Sequence, residues 1–181
     1  MQDTNQSDGM SGSDGMSEHD EHTGHDGDIG DILEKIGDAA VRGGVRIAIA
    51  ESLTCGRLAS TIGATEEASD WFAGGVVAYQ MQTKHDVLGI PSSLDPCSAE
   101  CAEGLASGVR TLLGADVAVA ATGVGGPDPE DGHAPGTVYI GWSTRDGQGH
   151  RLLELEGDPD DVLDGTVDGA IRLLATVLSA A

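Results

Sequence analysis

The chain has 181 residues, 39% of them hydrophobic, which is enough for one domain with its own core. Five residues are aromatic, so that core must be built from Ala, Val, Leu and Ile. A formal net charge of -22 excludes polyanionic partners, because such a surface repels nucleic acid and anionic membrane.

Residues 1–28 are mostly Ser, Gly, Asp, His and Met and contain no Lys or Arg. Ser7-Asp8-Gly9-Met10-Ser11 recurs as Ser13-Asp14-Gly15-Met16-Ser17. With almost nothing to bury, residues 1–30 are expected to form a disordered acidic tail. His19, His22 and His25 lie among acids there and read as solvated chain rather than a metal site.

Order is expected from Asp31 onward, as one domain over residues 31–181. Ile32, Leu33, Ile36, Ala39 and Ala40 recur at helical spacing, and Gly43-Gly44 ends the pattern. Val45 to Ala50 reads as a buried strand, followed by Glu51-Ser52-Leu53-Thr54-Cys55-Gly56 and a short helix from Arg57. Gly74 to Tyr79 reads as a second strand, and Met81 to Leu88 as one or two helical turns. Ser98 is a plausible N-cap for a helix running to Leu113. Asp116 to Ala121 is a third strand, and residues 123–136 form a Gly/Pro/Asp loop. Thr137 to Ser143 and His150 to Glu156 read as a hairpin around Arg145-Asp146-Gly147-Gln148-Gly149. Asp158-Pro159 then opens a last helix, whose apolar face (Val162, Val167, Ile171, Leu174, Leu178) suits packing on its own sheet or on a partner. Helices alternating with buried strands, plus a hairpin, predict a layered α/β domain with a mixed sheet.

Three cysteines, at 55, 97 and 101, argue against a disulfide framework and for a reducing compartment. No apolar run approaches the ~18 residues of a membrane span, so a cytoplasmic protein is expected. Cys97 and Cys101 share the spacing of one helix face and read as small buried residues rather than metal ligands.

Three segments can carry chemistry. Ser52 follows a strand and precedes a helix, where it can cap that helix or act as a nucleophile facing free N–H groups. Lys84 is one of two lysines in the chain. It can be an ordinary surface lysine or a desolvated base toward serine, with Tyr79 assisting. Thr122-Gly123-Val124-Gly125-Gly126-Pro127 follows the third strand and permits close backbone approach to a ligand, although a plain connector fits equally well.

Taken together these pieces resemble a known family. Ala50-Glu51-Ser52-Leu53-Thr54-Cys55-Gly56 resembles the A-E-S-C-T-G-G signature of the CinA carboxy-terminal domain. Ser69 to Tyr79 with Lys84 and Leu88-Gly89 resembles its second block, and Thr122 to Pro127 with Gly136-Thr137-Val138-Tyr139 its third. The resemblance implies a three-layer α/β/α sandwich and, in the stand-alone form, hydrolysis of the carboxamide of nicotinamide mononucleotide to nicotinate mononucleotide and ammonia. It carries the nucleophile over to Ser52, the base to Lys84 and an assisting role to Tyr79. Glu51, Thr54, Gly56, Arg57, Thr122, Gly123, Gly125 and Gly126 are then the expected substrate contacts, and the N–H groups opening the Arg57 helix the expected oxyanion site. No metal or cofactor is expected, and the partners implied are a small nucleotide substrate and other copies of the chain. The chain departs from the family pattern at Leu53, Cys55 and Met81, and carries Pro159 and Leu163 where the family has arginines. Those departures keep two other readings open: a non-catalytic nucleotide-binding module of the same fold, and an amidase for a different amide.

Nine of the 31 acidic residues lie within the first 31 positions, so the remainder of the chain is itself strongly acidic. Charge self-repulsion of this kind is relieved by screening at high ionic strength. The urea midpoint of the folded protein is therefore expected to rise on going from low salt to molar KCl; an unchanged midpoint would reject a salt requirement.

Overall fold

The computed structural model describes residues 27–180. The N-terminal repeat and His19, His22 and His25 lie outside the described residues. The elements are α1 (Ile29–Gly43), β1 (Ile47–Glu51), α2 (Arg57–Gly63), α3 (Ala68–Trp71), β2 (Phe72–Val77), α4 (Met81–Leu88), α5 (Ala99–Leu113), β3 (Val117–Gly123), β4 (Thr137–Ser143), β5 (Gln148–Glu154) and α6 (Pro159–Ala180).

One five-stranded sheet has the order β2-β1-β3-β4-β5. β1 is parallel to β2 and β3, whereas β3–β4 and β4–β5 are antiparallel, so the sheet is mixed as expected. Strand alternation divides the core into two layers. Ile47, Ile49, Val117 and Val119 face α1, α2 and α6. Ala48, Ala50, Ala118 and Ala120 face α4 and α5. Each Ile or Leu fully buried in the first layer, such as Ile36, Leu58 and Ile171, contributes about 2 kcal/mol. The second layer reaches tight packing by small residues instead. A three-layer α/β/α sandwich results.

Local signals set most boundaries. Ser98 Oγ accepts from the Cys101 N–H at 3.2 Å, as the N-cap reading requires. At α6, Asp158 Oδ1 accepts from the Asp160 and Asp161 N–H groups, and Asp161 returns a bond from the Asp158 N–H, closing a capping box. The last helix packs on its own sheet, with Val162, Val167, Ile171 and Leu174 buried in the first layer. Two strands begin two residues earlier than the sequence suggests: β2 starts at Phe72 rather than Gly74, and β5 at Gln148 rather than His150. β2 gains its first residues by pairing Phe72 with Ile47, and β5 by pairing Gln148 with Ser143. The single turn α3 was not foreseen; it buries Trp71, which reaches α1 beside Gly37.

Close approach of α5 to the sheet depends on Gly141, where an added Cβ would fall on the Ala102 carbonyl. Gly141→Ala should push helix and sheet apart and lower stability by about 2–3 kcal/mol, read from urea unfolding.

Candidate active site

The turn between β1 and α2 is organised by a buried carboxylate. Glu51 is the last residue of β1 and is 1% exposed. Its Oε2 accepts from Thr54 Oγ1 at 2.7 Å and from the Gly56 and Leu58 N–H groups at 3.0 Å, while Oε1 accepts from the Ala59 N–H at 2.9 Å. The Arg57 N–H donates to the Thr54 carbonyl. Every N–H at the start of α2 is therefore engaged, and the expected oxyanion site there does not exist. Glu51, Thr54 and Gly56, expected as substrate contacts, build this turn instead. Gly56 holds φ 103 and Cys55 φ 49, both left-handed, a conformation that suits the glycine of the family pattern better than a cysteine.

Alternation along β1 sends Glu51 toward the first core layer and Ser52 to the opposite side. The Ser52 N–H donates to the Ala121 carbonyl at 3.0 Å, so the ladder with β3 continues through this residue. Ser52 lies at the floor of a cavity of about 480 Å³. Lys84, on α4, is 1% exposed. Its Nζ lies 2.9 Å from Ser52 Oγ and donates to the carbonyls of Ala78 and Tyr79, each at 2.8 Å. Burial pushes the Lys84 amine below its ordinary value, opposed in part by the negative charge of Glu130. Of the expected pair, Ser52 and Lys84 are brought together; Tyr79 contributes its carbonyl, while its side chain is 65% exposed at the cavity rim. The assisting role expected of Tyr79 can take two forms, relaying a proton or holding the lysine; its phenol makes no hydrogen bond among the described residues, and its carbonyl holds Lys84.

Gly123, Gly125 and Gly126 line the cavity together with Thr122, whose hydroxyl donates to the Pro96 carbonyl. Leu53, Gly125 and Gly126 also line the cavity, and their N–H groups have no acceptor among the described residues. Arg57 departs from expectation. Its guanidinium is held by Asp160 at 2.6 Å and Asp164 at 2.7 Å on α6, and it faces a separate depression with Ser60 and Thr61. Sequence reasoning missed Asp128, Glu130 and Asp131, which line the cavity from the loop between β3 and β4. The unusual length of that loop was the available signal. Pro159 and Leu163, singled out as departures, also line it. Cys97 does so as well, its thiol pushed up to about 11 by burial, whereas Cys55 is exposed and stands outside the lining.

The model of the CinA C-terminal domain matches residues 30–178. The chain belongs to that family. A CinA-like protein of Frankia casuarinae is 36% identical over 137 residues, covering 74% of this chain and 32% of that protein. A relative in Geobacillus kaustophilus, whose name refers to competence-damage induction, is 43% identical over 143 residues, 76% of this chain and 34% of its own length. The chain thus spans about a third of the length of the curated relatives it matches. Among solved structures, a competence-damaged protein (CinA) superfamily protein from Klebsiella pneumoniae has a TM-score of 0.80 at 28% identity, over 86% of this chain and 100% of that one. One from Escherichia coli has 0.78 at 29%, over 82% and 90%. Among the described residues of this CinA-family chain, no helix is long and apolar enough to cross a membrane.

Removing the Glu51 carboxylate strands three N–H groups and a hydroxyl in the interior. Glu51→Ala should lose about 3–5 kcal/mol of stability in denaturant titrations, and Glu51→Gln clearly less, because its amide oxygen still accepts.

Proposed function

We propose that this domain is a serine–lysine amidase that hydrolyses the primary carboxamide of a nicotinamide compound. Nicotinamide mononucleotide, the substrate that the family resemblance implies, is the reference compound for assay. The observation that carries the reading is the 2.9 Å approach of Lys84 Nζ to Ser52 Oγ with both groups buried at the floor of a cavity.

The surroundings of Lys84 support a base. In the neutral amine, two N–H bonds fit the Ala78 and Tyr79 carbonyls, which leaves the lone pair facing the serine hydroxyl. Burial favours that neutral form. Ser52 Oγ then attacks the amide carbon as its proton passes to Lys84 Nζ. The developing oxyanion meets the Leu53 N–H, next to the nucleophile, and the Gly125 N–H across the cavity. Lys84 gives its proton to the departing nitrogen, ammonia leaves, and an ester on Ser52 remains. Water attacks that ester with Lys84 again accepting the proton, and the carboxylic acid departs as Ser52 is regenerated.

Ammonia release from nicotinamide mononucleotide is expected to fall at least about a thousandfold in Ser52→Ala and in Lys84→Ala, with circular dichroism unchanged. Full activity in Ser52→Ala would reject the mechanism. Binding of the nucleotide with no ammonia release from wild-type protein would favour the non-catalytic module, whose support is the altered lining at Met81, Pro159 and Leu163. Because the base acts unprotonated, kcat/KM should rise with pH through an inflection below the ordinary lysine range. Glu130 raises the Lys84 value, so Glu130→Gln should move that inflection to lower pH.

A further inference from the structure

The cavity over Ser52 and Lys84 offers no free side-chain cation to hold a phosphate. Among the described residues Lys84 is the only cationic side chain in its lining, and its amine is committed to Ser52 and two carbonyls. Arg57 stands at α6 but is neutralised by two carboxylates and faces away. A helix N-terminus is the usual backbone alternative for an anion. That of α6 borders the cavity through Pro159, which has no N–H. The next two N–H groups, of Asp160 and Asp161, donate to Asp158 Oδ1, and that of Val162 to the Asp158 carbonyl. Acidic side chains crowd the same turn. The glycine loop retains the Gly125 and Gly126 N–H groups, yet the same loop carries Asp128, Glu130 and Asp131 into the lining.

Three carboxylates, each on an exposed residue of the loop that borders the cavity, repel a phosphate and attract a cation, and they accept hydrogen bonds from sugar hydroxyls. The apolar pair Pro159 and Leu163 completes the wall without adding a donor. We propose that the site selects a carboxamide carried on a cationic body without phosphate, a pyridinium nucleoside, over the corresponding nucleotide. Asp128 and Asp131 are the specificity-determining residues. This inference rests on the amidase reading.

The test compares ammonia release from nicotinamide riboside and from nicotinamide mononucleotide by the full chain, at low salt and in molar KCl. The nucleoside is expected to show at least a tenfold higher kcat/KM, with the difference mainly in KM. In the double variant Asp128→Asn/Asp131→Asn the preference should shrink toward parity. These residues are chosen rather than Glu130 because Glu130 also acts on Lys84. Leu163→Arg should raise efficiency on the nucleotide, and Leu163→Gln, of similar length without charge, should not. Equal efficiency on the two substrates, or preference for the nucleotide, overturns the inference and leaves the amidase standing. Failure of folded protein to release ammonia from either compound overturns the amidase reading, and the inference falls with it.

Discussion

A carboxylate removed from water must find several donors, and Glu51 finds four within eight residues of chain. That requirement fixes the path of the turn after β1, because Gly56, Leu58 and Ala59 must all present their N–H groups to one side chain. It also closes the start of α2 with a negative charge, the sign that a helix N-terminus favours. With the turn held from one side of the sheet, Ser52 is left projecting from the other, beside α4. Ser52 is thus positioned by its neighbour in sequence, which faces the opposite way.

The second constraint is the placement of an amine in a nearly sealed site. Lys84 is among the largest fully buried side chains, in a chain whose formal net charge is -22. Burial disfavours its charged form, and the two carbonyls that receive its N–H bonds aim what remains at Ser52. Both carbonyls belong to the segment linking β2 to α4, so the sheet edge and the Lys84 amine are positioned together. The thiols of Cys97 and Cys101 lie in the same low-polarity region, both pushed up to about 11 by burial, and so take the part of small apolar groups.

Small residues make this arrangement possible in a chain with few aromatics. Ala48, Ala50, Ala118 and Ala120 present a low, even sheet face, and α5 answers with Ala102 and Ala106, while its Gly108 admits the Leu88 carbonyl of α4. Helix and sheet can then approach until backbone touches backbone, as at Gly141 and Ala102. Dispersion contacts at that distance replace the area that large side chains would otherwise bury. On the opposite face the strands themselves carry the bulk, with Ile47, Ile49, Val117 and Val119 meeting Leu33, Ile36, Ile171 and Leu174.

The sequence by itself determined what depends on near neighbours. Apolar periodicity marked the elements, Ser98 and Asp158-Pro159 marked helix starts, and the Glu51-Ser52 and Tyr79–Lys84 segments marked the residues that meet at the cavity floor. Such features are set by backbone geometry over a few residues, so they survive without knowledge of packing. Tertiary structure alone decided what each polar group would touch. Arg57 reads as a free cation in the chain, but Asp160 and Asp164, 103 and 107 residues away, reach it once α6 lies beside α2. Tyr79 reads as a residue that assists Lys84, but the turn after β2 sends its ring outward, and the carbonyl is what reaches the amine. Asp128, Glu130 and Asp131 read as loop acids until the crossing from β3 to β4 brings them to the lining of the same cavity as the serine. Hydrogen bonds and charge pairs are chosen by proximity in space, and for these groups the chain's folding brings the decisive partner from far along the sequence.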